Sequence, residues 1–121
     1  MITIKTLLII EDDLSFSSIL SNILKKDYSI YLAFSLKQAS QILMENKIDY
    51  ICSDYNLTDG FGIEIIKFFK KCNKKIPVII MTASLDNQIT ESTISSGAIS
   101  AIEKGDCDFL TKLSKRTIVG V

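Results

Sequence analysis

Strand-like apolar runs and segments of helical period alternate along this chain about ten times, which predicts βα repeated five times. The strand runs are Leu7–Ile10, Ile30–Phe34, Tyr50–Asp54, Val78–Met81 and Ile99–Ile102. Leu7-Leu8-Ile9-Ile10, Tyr50-Ile51-Cys52 and Val78-Ile79-Ile80-Met81 are apolar at consecutive positions, hence on both faces. Strands of that kind sit centrally in a parallel sheet with helices on both sides. Ile30-Tyr31-Leu32-Ala33-Phe34 is more amphipathic, and Ile99-Ser100-Ala101-Ile102 mixes polar with small residues, so these two suit the edges. Strands one, three and four inside, with two and five outside, give the doubly wound order 2-1-3-4-5. This is an α/β, flavodoxin-like arrangement. Pro77 sits acceptably at a strand start. An apolar content of 47% supports a real core, and residues 1–121 read as a single domain without linker or repeat.

The first helix is expected over about Leu14–Lys26, with Phe16, Ile19, Leu20, Ile23 and Leu24 forming an inward stripe. The second spans about Leu36–Asn46 and turns Leu36, Ala39 and Leu43 inward. A third, about Gly62–Cys72, uses Ile65, Phe68, Phe69 and Cys72, and a fifth, about Asp106–Ile118, uses Phe109, Leu110, Leu113 and Thr117. The fourth, about Asp86–Ser96, is poor in strong helix formers and apolar anchors, and Gly97 ends it. A helix so weakly held fits a segment that shifts between states, and equally an ordinary surface helix.

Right-handed crossovers and the switch point of this order place a site at the carboxyl ends of strands one and three. The polar residues at the strand tips are Glu11-Asp12-Asp13, Asp54, Thr82-Ala83 and Glu103-Lys104. Gathered at one edge, Glu11, Asp12 and Asp54 repel one another, and at least one is pushed towards protonation. A hard divalent cation relieves this, and Mg²⁺ (or Mn²⁺) favours a few carboxylates plus water at about 2.0–2.1 Å. With such an ion and Lys104 the formal charge cancels, which keeps Asp54 ionised and nucleophilic. A carboxylate attacking phosphorus yields an acyl phosphate. The transferring group needs its oxygens held, for which the ion, the Lys104 ammonium, the Thr82 hydroxyl and the Ala83 amide are available.

Each residue alone has a plainer explanation. An Asp at a strand end is usually a turn former, Glu11-Asp12 a loop start, Thr82 a strand residue and Lys104 a solvated charge. Asp13 is expected to be exposed and to cap the first helix. The joint placement of the others on the correct strand ends favours the phosphoacceptor reading.

Composition removes other chemistries. Histidine is absent, so Ser-His-Asp catalysis and His-rich metal sites are excluded, and any phosphohistidine belongs to a partner. Cys52, Cys72 and Cys107 are widely spaced and odd in number, which suits reduced thiols. Lys+Arg and Asp+Glu both number 14, which argues against broad nucleic-acid binding. No apolar stretch approaches the roughly 20 residues needed to span a bilayer. The N-terminus lacks the layout of a signal peptide, so a cytoplasmic location is expected.

Taken together, Leu7-Leu8-Ile9-Ile10-Glu11-Asp12-Asp13, Asp54-Tyr55-Asn56-Leu57, Val78-Ile79-Ile80-Met81-Thr82-Ala83 and Gly97-Ala98 before Lys104 resemble the receiver domain of two-component response regulators. The resemblance covers essentially the whole chain. It implies that Asp54 is the phosphorylated aspartate, and that Asp12 and Asp54 ligate Mg²⁺ directly. Glu11 acts mostly through water, and the Asn56 backbone carbonyl is a further ligand. Thr82 and Lys104 are the switch hydroxyl and the phosphate-binding lysine. The implied donor is a phosphohistidine on a sensor histidine kinase or histidine phosphotransfer protein, and no external substrate is turned over.

The implied output face is the fourth helix, fifth strand and fifth helix, acting on a downstream protein or a covalently linked output domain. That face also offers a route to a homodimer. Three departures bear on how a signal leaves the site: Ala101 at the family's aromatic switch position, Gly105 after Lys104 instead of proline, and Thr58 in the turn where proline is common. The alternative is a receiver-shaped interaction domain that works without phosphorylation. A hydrolase with an aspartate nucleophile is disfavoured, because its second acid two residues on is Asn56 here. An FMN site lacks a phosphate-binding loop.

Overall fold

The computed structural model describes residues 4–106 together with 108 and 109. In chain order the elements are β1 (Thr6–Ile10), α1 (Leu14–Leu24), β2 (Ser29–Ala33), α2 (Leu36–Glu45), β3 (Tyr50–Asp54), β4 (Asn56–Leu57), β5 (Gly60–Phe61), α3 (Glu64–Lys71), β6 (Val78–Thr82), α4 (Asn87–Ser95) and β7 (Ser100–Glu103). Five of the strands form one parallel sheet in the order β2-β1-β3-β6-β7. This is the doubly wound order expected from strand character.

The continuous apolar runs are explained by two cores. Successive strand residues point to opposite faces. Leu8, Ile10, Ile51 and Ile80 therefore join Ala39 and Leu43 of α2 and Ile65, Ile66 and Phe69 of α3 on one side. Leu7, Ile9, Cys52, Ile79 and Met81 join Leu20 and Leu24 of α1, with Ile102 and Phe109, on the other. Fully burying such a side chain contributes roughly 1.5–3 kcal/mol, so both faces of the central strands are held firmly.

Helix starts follow their caps. Asp13 accepts from the Phe16 amide at 3.1 Å, Ser35 from Gln38 at 3.1 Å and Asp86 from Ile89 at 2.8 Å. Asp13 is exposed and caps α1, as expected. The observed helices are one or two residues shorter at their ends than the apolar periodicity suggests, because the terminal residues serve as caps. The inward face of α1 is Ser17, Leu20 and Leu24, and Ile19 is 60% exposed. Ser17 can turn inward because it is small and its hydroxyl donates to the Leu14 carbonyl at 3.2 Å. In α3, Ile66 takes the inward place expected of Cys72, which is exposed at the C-cap. Only Thr93 of α4 is buried, in keeping with a loosely anchored helix.

A two-stranded antiparallel hairpin, β4 with β5, follows Asp54 and was absent from the expected alternation. Gly60 makes the turn at a φ of +148°, a conformation open to glycine. The Asp59 carboxylate then accepts from the Leu36 and Lys37 amides at 2.9 and 3.0 Å, which ties the hairpin to the start of α2. The helix expected over 106–118 lies largely outside the described residues; of its inward set, Phe109 is buried.

Candidate functional site

Sheet register brings the polar tips level. Ile10 pairs with Ser53, Asp54 with Met81, and Thr82 with Glu103, so the next residues along emerge at one edge. There the side-chain oxygens of Glu11, Asp12 and Asp54 lie within 4.8 Å of one another. The Lys104 amide donates to the Thr82 carbonyl at 2.7 Å, which fixes the lysine at the same edge. Its ammonium group donates to Glu11 Oε1 and lies 3.2 Å from Asp54 Oδ2.

Electrostatics divides the acids. Glu11 has no exposed surface, and burial pushes its carboxyl up to about 7, against the pull of Lys104 and the Asp13 amide. The charge of Asp54 adds to the rise. That Asp13 amide donates to Glu11 Oε2 at 3.1 Å, so both Glu11 oxygens already have partners. Burial works to lower the Lys104 pKa, but the Glu11 hydrogen bond and the negative charge of Asp54 outweigh it and the net shift is upward. Lys104 is firmly cationic. Its ammonium also stands 4.7 Å from the centre of the Phe16 ring, a cation–π contact. Cys52 is buried, and burial raises its thiol pKa, so it is an inert core side chain and not a nucleophile.

Thr82 is buried and donates its hydroxyl to the Ser84 carbonyl at 3.2 Å. Ala83 and Asn56 are exposed beside it and beyond Asp54 respectively. The backbone after Asp54 is pinned twice: the Tyr55 amide donates to Met81 at 2.7 Å, and the Gly62 amide donates to the Tyr55 carbonyl at 2.8 Å. A Cβ at position 62 would collide with the Asp54 carbonyl oxygen and Ser53 Oγ. Glycine is needed there for close approach.

The donor set is all oxygen, with a shared negative charge, which suits a hard divalent ion. Ligand oxygens around Mg²⁺ at about 2.0–2.1 Å stand roughly 3–4 Å apart, so this spacing needs little closing movement. The residues fit the ion. Glu11, Asp12, Asp54 and Lys104 are brought together at one edge, with Thr82 joined to Lys104 through its carbonyl. Sequence reasoning missed Phe16 beneath Lys104, whose position in an apolar stripe gave only a core signal. It also missed Gly62 as a contact position and Tyr55 as a residue with side-chain partners.

Residues 7–114 match the family model of the response regulator receiver domain. The transcriptional regulatory protein ZraR of Escherichia coli (strain K12) is 33% identical over 107 residues, covering 88% of this chain and 22% of that protein. The response regulator protein PilR of Pseudomonas aeruginosa is 32% identical over 82 residues, covering 66% of this chain and 16% of its own length. The chain thus spans about a fifth of the length of the curated relatives it matches. Among solved structures, the non-phosphorylated HemR receiver domain from Leptospira biflexa superposes with a TM-score of 0.83 at 26% identity, covering 93% of this chain and 94% of that one. A CheY-like receiver domain from Methanospirillum hungatei gives 0.84 at 20% identity over 97% and 96% of the two chains, a likeness of fold alone.

Proposed function

This chain belongs to the response regulator receiver domain family, and from that premise we propose that Asp54 accepts a phosphoryl group from a partner phosphohistidine. The observation that carries the reading is the convergence of Glu11, Asp12 and Asp54 within 4.8 Å, with the Lys104 ammonium 3.2 Å from Asp54. Asp12, Asp54, the Asn56 carbonyl and, through water, Glu11 would hold Mg²⁺ or Mn²⁺. When bound, that ion supplies positive charge against the carboxylates and the phosphoryl oxygens. The occupied oxygens of Glu11 favour its indirect role.

In the transfer, a carboxylate oxygen of Asp54 forms the new bond to phosphorus as the phosphorus–nitrogen bond to the partner imidazole breaks. The bonding pair returns to the imidazole nitrogen. Lys104 holds one phosphoryl oxygen as a point charge on a flexible stem. The Thr82 hydroxyl turns from the Ser84 carbonyl to a second oxygen, beside the Ala83 amide. The donor is a sensor histidine kinase or a histidine phosphotransfer protein. The output surface is α4, β7 and the residues after them, acting on a downstream protein, a linked output domain or a second copy.

The test is intact mass spectrometry after incubation with Mg²⁺ and acetyl phosphate. One phosphoryl adduct on the wild type and none on Asp54→Asn is the expected result. No adduct on the wild type, or an equal one on the variant, would overturn the reading.

A further inference from the structure

We propose that Tyr55 relays the state of Asp54 to α4 through a hydroxyl contact with Ser92. This rests on the phosphoacceptor reading and adds a route for the signal. Tyr55 is bonded directly to Asp54, and its hydroxyl lies 3.1 Å from Ser92 Oγ, 37 residues along the chain. Its ring packs on Phe61 with centroids 5.4 Å apart, while its amide and carbonyl are pinned to Met81 and Gly62. The backbone beside the phosphoacceptor, the hairpin and α4 therefore meet on one rigid aromatic side chain.

The helix at the other end of this contact has the fewest buried side chains of the four helices among the described residues. Its one buried side chain is Thr93, next to Ser92, and the Thr93 hydroxyl has no hydrogen-bond partner. A buried hydroxyl without a partner is an unfavourable feature of the present packing, and a shift of α4 that satisfies it is favoured. One polar contact can thus decide between two positions of the helix. Ala101 of β7 bears only a methyl group, so no ring at that position can do the work. Tyr55 reaches α4 from the segment that directly follows the reacting aspartate.

The relay operates by competition for position. A phosphoryl group on Asp54 draws Thr82 and the 82–84 backbone towards it. Tyr55, whose amide is held by the adjoining Met81 carbonyl, moves with that edge. The hydroxyl leaves Ser92, and α4 is released towards its second position. Coupling of this kind needs a two-state element biased from both ends, which α4 and the Asp54 loop provide.

Hydrogen–deuterium exchange over 87–95 tests it, on the wild type, Tyr55→Phe and Ser92→Ala, each with and without Mg²⁺ and beryllofluoride. Both variants are expected to form the adduct yet exchange about fivefold faster in α4 before it is added, the effect of losing one net hydrogen bond. Both are expected to lose at least half of the wild-type response. The double variant should match the singles, because they remove the same contact. Ser92→Ala, on a half-exposed helix position, keeps the test intact if Tyr55→Phe misfolds. Adduct formation with wild-type exchange and response in both variants would overturn the relay. An absent adduct on the wild type would overturn the phosphoacceptor reading itself, and the relay with it.

Discussion

Glu11 and Lys104, 93 residues apart in sequence, form an ion pair in which the carboxylate is fully buried and the lysine side chain is 19% exposed. Such a pair adds little net stability, because both groups give up hydration to make it. Removing one partner is another matter. Lys104→Ala leaves Glu11 and Asp54 facing each other without a cation, and is expected to lose about 1–3 kcal/mol of stability. Urea denaturation checks this, and Glu11→Gln added to Lys104→Ala should recover part of the loss. A Lys104→Ala protein as stable as the wild type would refute the pairing.

Glu11 sets a pH dependence. Its ordinary value of 4.5 is raised to about 7 in the folded chain, chiefly by burial. Between those values the folded protein holds a proton that the unfolded chain has lost, so stability falls as pH rises through this window. In EDTA, the thermal midpoint should drop between pH 5 and 7.5, and Glu11→Gln should flatten the slope. Mg²⁺ should then stabilise the protein more at pH 7.5 than at pH 5, since it competes with protons for the acidic cluster. A midpoint that rises over this range would contradict the assignment.

Gly62 is held against the Asp54 carbonyl, and the space for a side chain is filled by that oxygen and by Ser53 Oγ. Gly62→Ala forces backbone to move, at a cost of about 1–3 kcal/mol, and moves the peptide that follows the phosphoacceptor. We expect a lowered urea midpoint together with weaker Mg²⁺ binding by titration calorimetry. Gly105, with open space around its Cα, serves as the control: Gly105→Ala should change neither measurement appreciably.

Asp59 caps α2 from outside the helix, and its carboxyl is held below the usual carboxylate range by the Leu36 and Lys37 amides. Asp59→Ala is expected to cost about 1 kcal/mol, the usual worth of a cap. Hydrogen exchange should quicken both in the first turn of α2 and in the 56–61 hairpin, because one side chain joins them. Quickening in only one of the two would disprove the tie.

The strand order and the edge that carries the site were legible in the linear chain. A residue's preference for one or both faces of a sheet is a local property of apolar spacing, and three doubly buried runs leave few topologies open. The placement of Asp12, Asp54 and Lys104 at that edge could be read from the chain as well, since each lies at or just past the end of a strand-like run, two of these runs doubly buried and the third an edge strand. The inward face of α1 was legible in part. Leu20 and Leu24 are buried and Phe16 packs against the same core, as their spacing suggests, but Ile19 is exposed and Ser17 is buried, a choice made by packing against the sheet and not by hydrophobicity.

The alternation of runs, with its polar tips, by itself determined the architecture and the chemistry available at one edge. Only the tertiary structure decided that Glu11 is buried against Lys104, that Asp59 reaches across to α2, and that Tyr55 reaches Ser92. These depend on how far a side chain extends after the backbone has been placed to within an ångström or so. No periodicity in the chain encodes that distance.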